Sequence, residues 1–145
     1  MTSARDLLSK PPRRWSEQLG GICWLPRLID KARAVLAGTL GDYFFGQSPM
    51  DRQLLRTLRL LHRDFAEIVR TARSDDAVLD AIAARDPGAL ERARAWSAAM
   101  PSRNRLFLYL LDVDDGYRAS WLSWPVHRCA FVLSRTVKRL WPSRQ

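Results

Sequence analysis

Apolar positions recur along most of this chain at three- and four-residue spacing, in blocks short enough to be separate helices. Leu25, Leu28, Ile29, Ala32, Val35 and Leu36 form the first stripe, and Leu54, Leu55, Leu58 and Leu61 form the second. A third block spans Asp64 to Thr71. Val78, Leu79, Ile82 and Ala83 follow, then Ala89, Leu90, Ala93, Trp96 and Met100, then Leu106, Phe107, Leu110 and Leu111. A last helix is predicted from about Ser123 to about Trp141. No segment sustains the period-two alternation of a half-buried strand, and no hairpin dipeptide sits between two such runs. The pattern therefore predicts an all-α fold, a small single-domain bundle of about six to seven helices.

Punctuation between the blocks supports these boundaries. Pro26 suits the first turn of a helix, where its missing N–H costs nothing, and Gly38 suits the left-handed position after the last turn. Ser48-Pro49-Met50-Asp51 reads as an N-cap, a first-position proline and the acid of a capping box, opening a helix that runs to about Leu61. Ser74 caps the next acidic first turn, Asp75-Asp76, and Asp86-Pro87 repeats the device. Pro101-Ser102 is expected to open a further helix ending near Asp112 to Gly116. Before the first helix, Pro11-Pro12 forbids regular helix, so residues 1–18 are expected to form an extended arm anchored by Trp15. The expected organisation is arm 1–18, helical core 19–100, and a C-terminal helical extension 101–145 packed on the same domain.

Composition adds a basic bias. The chain has 145 residues, is 47% hydrophobic and carries a net charge of +9, with only Lys10, Lys31 and Lys138 among 24 basic residues that are not arginine. Residues 1–73 hold 13 basic and 7 acidic groups, residues 74–100 hold 3 and 5, and residues 101–145 hold 8 and 3, so the basic character lies at both ends. Such a field favours anionic partners, although a GC-rich genome also produces arginine bias. Arg52, Arg56, Arg59 and Arg63 follow one another at helical spacing and suit backbone phosphates as well as a solvated face. Cys23 and Cys129 make no CxxC pair, and His62 and His127 stand far apart, so no metal site and no cofactor are expected. The N-terminus lacks a secretory signal, and the longest apolar-rich stretch is too short to span a bilayer. A cytoplasmic location is expected, peripheral to a membrane or a larger complex if the basic surface is used there.

The C-terminal helix carries two non-polar faces. Leu122, Val126, Cys129, Leu133, Val137 and Leu140 share one stripe, while Trp121, Trp124 and Phe131 are interleaved with Arg128, Arg135, Lys138 and Arg139 on the other. This second face suits a protein partner or a homo-oligomer, stacking on nucleic acid, or an anionic membrane surface.

The run Leu19-Gly20-Gly21, then Trp24-Leu25-Pro26-Arg27-Leu28-Ile29-Asp30-Lys31-Ala32-Arg33-Ala34, then Leu36-Ala37-Gly38-Thr39-Leu40-Gly41-Asp42-Tyr43 and Pro49-Met50-Asp51, resembles a bacterial family of unknown function, DUF5069. Ser74 to Leu79 and Glu91 to Ser97 resemble it too, so the likeness covers about Asp6 to Met100. It implies a small, mainly helical protein and no assigned activity. Gln47-Ser48 stands where the family often has Asn-Cys, which removes a thiol-based role there.

Two surfaces are therefore candidates. Arg27, Asp30, Lys31 and Arg33 beside Tyr43 are the candidate family site. Asp30 is expected to pair with Arg27 and Arg33 across one helical turn on a solvated face. Trp121, Trp124, Arg128, Phe131, Arg135, Lys138 and Arg139 are the candidate partner-binding set. No nucleophile–base pair is identifiable and no catalytic residue is proposed. The expected role is a non-enzymatic binding or adaptor protein using a basic, aromatic-containing surface. Nucleic-acid binding, membrane association and a small enzyme or ligand-binding protein using Asp30, Arg33 and Tyr43 are the alternatives.

Overall fold

Pro26 and Gly38 bracket the first helix as their chemistry requires. A computed structural model describes residues 5–118 of the chain. In it α1 spans Leu25–Ala37, and Gly38 takes the left-handed conformation with φ 71°. Gly38 N donates to Val35 O at 3.1 Å and Thr39 N to Ala34 O at 2.8 Å, the two bonds of a Schellman cap. Four of the six stripe residues, Leu25, Leu28, Ile29 and Ala32, are buried. Val35 and Leu36 are not core, being 41% and 47% exposed.

The remaining helices are α2 Pro49–Leu58, α3 His62–Thr71, α4 Asp75–Arg85, α5 Ala89–Arg103 and α6 Arg105–Asp114. Ser48 Oγ accepts from Asp51 N at 3.2 Å and Ser74 Oγ from Ala77 N at 3.1 Å, so both predicted N-caps form. α2 stops at Leu58 rather than near Leu61, because Arg59 takes a left-handed φ of 56° and Leu60 N returns to Leu55 O. The second correction concerns Pro101, which lies inside α5 instead of opening a new helix. Met100 beside it is buried, and near the end of the helix Ser102 Oγ and Asn104 Nδ2 donate to the carbonyls of Ala99 and Met100.

The structure also adds a hairpin. β1, Gln18–Leu19, pairs antiparallel with β2, Ile22–Cys23, in the register Gln18 to Cys23 and Leu19 to Ile22. Gly20 and Gly21 turn it with φ of 57° and 80°, the paired positive values a two-residue turn demands.

Two compact units are present, Met1–Arg105 and Leu106–Gln145. In the first, α1 packs on α3 and β1, α5 packs on α2, α4 and β2, and α3 packs on α4. Ile22, Trp24, Leu54, Leu58, Phe65, Val78, Ile82, Ala93 and Met100 join the α1 stripe in its core. Ser97, buried on α5, accepts the β2 amide of Cys23 at 2.7 Å and ties the hairpin down. The second unit contains α6. The architecture is predominantly helical, as the hydrophobic pattern predicts. The expected C-terminal helix, with Trp121, Trp124, Arg128, Phe131, Arg135, Lys138 and Arg139, lies outside the described residues.

Candidate functional site

Arg27, Asp30 and Lys31 sit at i, i+3 and i+4 of α1, on the side away from the aliphatic stripe. Their spacing suggests a solvated ion-pair face, and the fold overturns that expectation: they are 1%, 5% and 3% exposed. The physical reason is coverage from elsewhere in the chain. The arm before β1 lies over Asp30, and the loop leading into α2 brings Asp51 onto Lys31.

The first half of the resulting cluster is built on Arg13. Its Nε donates to both oxygens of Asp30 at 3.1 Å, its NH2 donates to Asp30 Oδ1 at 2.8 Å, and its backbone N donates to Asp30 Oδ2 at 2.8 Å. The same guanidinium reaches Pro26 O at 3.1 Å through NH2 and Asp75 Oδ2 at 2.6 Å through NH1. Arg33 NH2 completes the group with an ion pair to Asp75 Oδ1 at 2.7 Å. Asp30 is thus held by Arg13 rather than by its helical neighbours Arg27 and Arg33. Burial alone would push the Asp75 carboxyl up, but its hydrogen bond and charge contact with Arg13, joined by Arg33, bring it below its ordinary value. Burial likewise works against the Arg13 cation, and the bonds to Asp30 and Asp75 outweigh it, raising its pKa.

The second half is built on Asp51, which has no solvent exposure. Its Oδ1 accepts from Trp24 Nε1 at 2.8 Å and Lys31 Nζ at 2.9 Å, and its Oδ2 accepts from Lys31 Nζ and Gly46 N, both at 3.0 Å. The capping box read from the sequence is therefore half right: Ser48 caps the helix, while the Asp51 carboxylate turns inward. Trp24 precedes α1 with φ 67°, a costly conformation for a bulky residue. Its ring is fixed there by the indole bond to Asp51 and by two cations, Arg27 Cζ and Lys31 Nζ, each 5.3 Å from the ring centroid.

Arg27 joins the halves. Its NH1 donates to Arg13 O at 3.3 Å, and its guanidinium lies 5.7 Å from the Tyr43 ring as well as over Trp24. All five predicted family-site residues, Arg27, Asp30, Lys31, Arg33 and Tyr43, thus belong to one connected group. The sequence missed Arg13, Trp24 and Asp75 as members and assigned Asp51 to capping. One signal for Arg13 was present: Pro11-Pro12 stiffens the backbone just before it. For Asp51, twenty residues from Lys31, no local signal exists.

Gly46 is the tightest point of this site. Its φ is +71°, and an added Cβ would stand 2.5 Å from His62 Cβ. Gly46→Ala is expected to lower stability by about 1–3 kcal/mol. Gly38→Ala, whose Cβ meets nothing within 4 Å, should lose only the left-handed cost of about 1 kcal/mol. Chemical denaturation of the two variants checks the order; equal losses would contradict the steric account.

Chemically, the cluster sets carboxylates against cations: Asp30 against Arg13, Asp75 against Arg13 and Arg33, and Asp51 against Lys31. Asp30 has both oxygens taken, and no Ser, Cys or His among the described residues shares a hydrogen bond with these carboxylates. Among the described residues no group of three His, Cys, Asp or Glu side chains is placed to hold a metal ion, and no helix is long and apolar enough to cross a membrane.

A family model described as a domain of unknown function, DUF5069, matches residues 9–106. The chain belongs to this family. The matched interval takes in the arm from Ser9, both strands and α1 to α5, so the whole ionic cluster lies inside the family domain. No curated protein matches the chain.

Proposed function

We infer that the protein is a non-enzymatic helical binding domain that offers a basic surface to an anionic partner. The observation that carries this reading is the contrast between its inward and outward charges. Arg27, Asp30 and Lys31 of α1 are buried, and Asp30 and Lys31 are paired with Arg13 and Asp51 from elsewhere in the chain, which gives them a role in holding the domain together. Arginines on α2 and α3 face outward.

Arg52 and Arg56 stand at i and i+4 on α2, Arg59 caps its end and Arg63 stands in the first turn of α3; all four are exposed. Arg59 has only a 3.9 Å contact with Asp86, itself held by Arg92. Among the described residues Arg52, Arg56 and Arg63 have no acidic partner. Uncompensated arginines on one helix face raise the local potential and favour a polyanion or an acidic protein surface. The rival reading, a ligand site at Asp30, Arg33 and Tyr43, needs those groups open to solvent, whereas Asp30 is sealed under Arg13.

The triple variant Arg52→Glu, Arg56→Glu, Arg63→Glu tests the reading against Arg73→Glu, Arg85→Glu, Arg103→Glu, which makes the same change in net charge at other exposed positions. In anisotropy titrations with a labelled acidic peptide and a labelled single-stranded RNA, the first variant is expected to bind at least tenfold more weakly than the second. Equal affinities of the two variants would refute a specific surface. A steep loss between low and physiological salt would assign the site to phosphate polymers.

A further inference from the structure

The indole N–H of Trp96 on α5 donates to Gln53 Oε1 on α2 at 3.3 Å, and the Trp96 side chain is half-buried. That bond fixes one edge of the ring. Its faces carry no stacked ring or cation from the described residues, whose cations lie instead over Trp24, Tyr43 and Tyr109 and whose ring pairs join Phe45 to His62 and Phe65. Trp96 is thus an aromatic platform at the domain surface.

Gln53 sets this ring beside the basic face. Arg56 stands at i+3 from Gln53 and at i+4 from Arg52, so these three exposed side chains are neighbours on α2, with the two arginines about 6 Å apart along its axis. Arg92, one turn before Trp96 on α5, takes no part, because its guanidinium is bound to Asp86 and to the Thr57 carbonyl. The surface therefore offers two cations with an aromatic ring beside them. The carboxylates of an acidic protein would use the cations and gain nothing from an indole face. A nucleotide uses both, since its phosphate pairs with guanidinium and its base stacks on the ring. Bases paired and stacked within a duplex present only their edges, so the strand must be single.

We propose that the anionic partner of the α2 surface is a single-stranded nucleic acid, with Arg52 and Arg56 on its phosphates and a base stacked on Trp96. This inference rests on the basic-surface reading and gives its partner a chemical class. The arginines supply attraction to any polyanion, and Trp96 supplies the preference for one that carries bases.

The test is an anisotropy titration of the full chain, at fixed ionic strength, with two labelled probes. One is an oligothymidylate of about twelve nucleotides, within the site size of a small single-strand-binding domain, and the other is an abasic strand of the same length and charge. The intact strand is expected to bind more tightly than the abasic one by about fivefold or more, because a single stacked base contributes that factor. Trp96→Leu keeps the apolar bulk without the ring and should bring the two affinities within about twofold of each other, while Trp96→Phe should keep part of the preference. Equal affinity of the wild-type chain for the two strands overturns the proposal without recourse to a variant, as does a preference undiminished in a folded Trp96→Leu chain. Tighter binding of the labelled acidic peptide than of either strand also overturns it, in favour of a protein partner. These outcomes leave the basic surface standing. That reading fails separately, if the triple arginine variant binds strands and peptide as tightly as its charge-matched control.

Discussion

Asp51→Asn is expected to destabilise the family domain by about 3–5 kcal/mol, the range for breaking a buried ion pair on one side. The amide keeps the volume of the carboxylate and one acceptor, so packing is preserved and the electrostatic loss is isolated. Lys31, 3% exposed, would be left as a buried cation without its carboxylate, and the indole N–H of Trp24 and the amide of Gly46 would compete for one oxygen. The midpoint of urea unfolding should fall with little change in slope. Adding Lys31→Met removes the stranded charge and should recover at least about 1 kcal/mol relative to additivity. A loss below about 1 kcal/mol in the single variant would show that the pair does not hold the domain together.

Arg13→Ala comes next in size, at about 2–4 kcal/mol, because one side chain serves Asp30, Asp75 and the Pro26 carbonyl at once. Asp30 would keep only the backbone amide of residue 13. Arg13→Lys should recover less than half of the loss, since a single ammonium cannot reproduce a fork that bridges two carboxylates. A pH dependence accompanies this. The folded-state pKa of Asp75 lies below its ordinary value of 3.8, so the stability it contributes is fully present above that pH and is lost as pH falls through the folded value. Wild-type unfolding free energy should therefore drop on acidification below about pH 4, and the drop should be shallower in Arg13→Ala, where Asp75 keeps only Arg33. Parallel acid limbs in the two proteins would contradict the assignment.

Both outcomes bear on what the family signature means. If its charges stabilise rather than react, loss of Asp51 or Arg13 should remove binding only to the extent that it unfolds the domain. Binding by the fraction still folded separates the two roles.

Local chemistry made much of the helical architecture legible. Pro26, Gly38, Ser48 and Ser74 act within a turn of their own position, so their effect survives in the one-dimensional string, and the three-four spacing of Leu25, Leu28, Ile29 and Ala32 marks a buried face wherever it occurs. The hairpin at Gly20-Gly21 escaped because two-residue strands have no period to detect. Pro101 misled for the opposite reason: a strong local breaker lies inside a helix whose neighbouring residue, Met100, is buried in the core, so the local signal did not set the boundary.

The sequence by itself determined which residues lie together on α1, and so brought Arg27, Asp30, Lys31 and Arg33 into one candidate group. Only the tertiary structure decided that three of them are interior. A charged helix face reads as solvated unless something covers it, and the covering residues, Arg13 and Asp51, come from the arm and from the start of α2, separated from their partners by 17 and 20 residues. Helical periodicity reports contacts across three or four residues. Which charge neutralises which across a longer span depends on where the chain returns, and that is fixed by the packing of the whole domain.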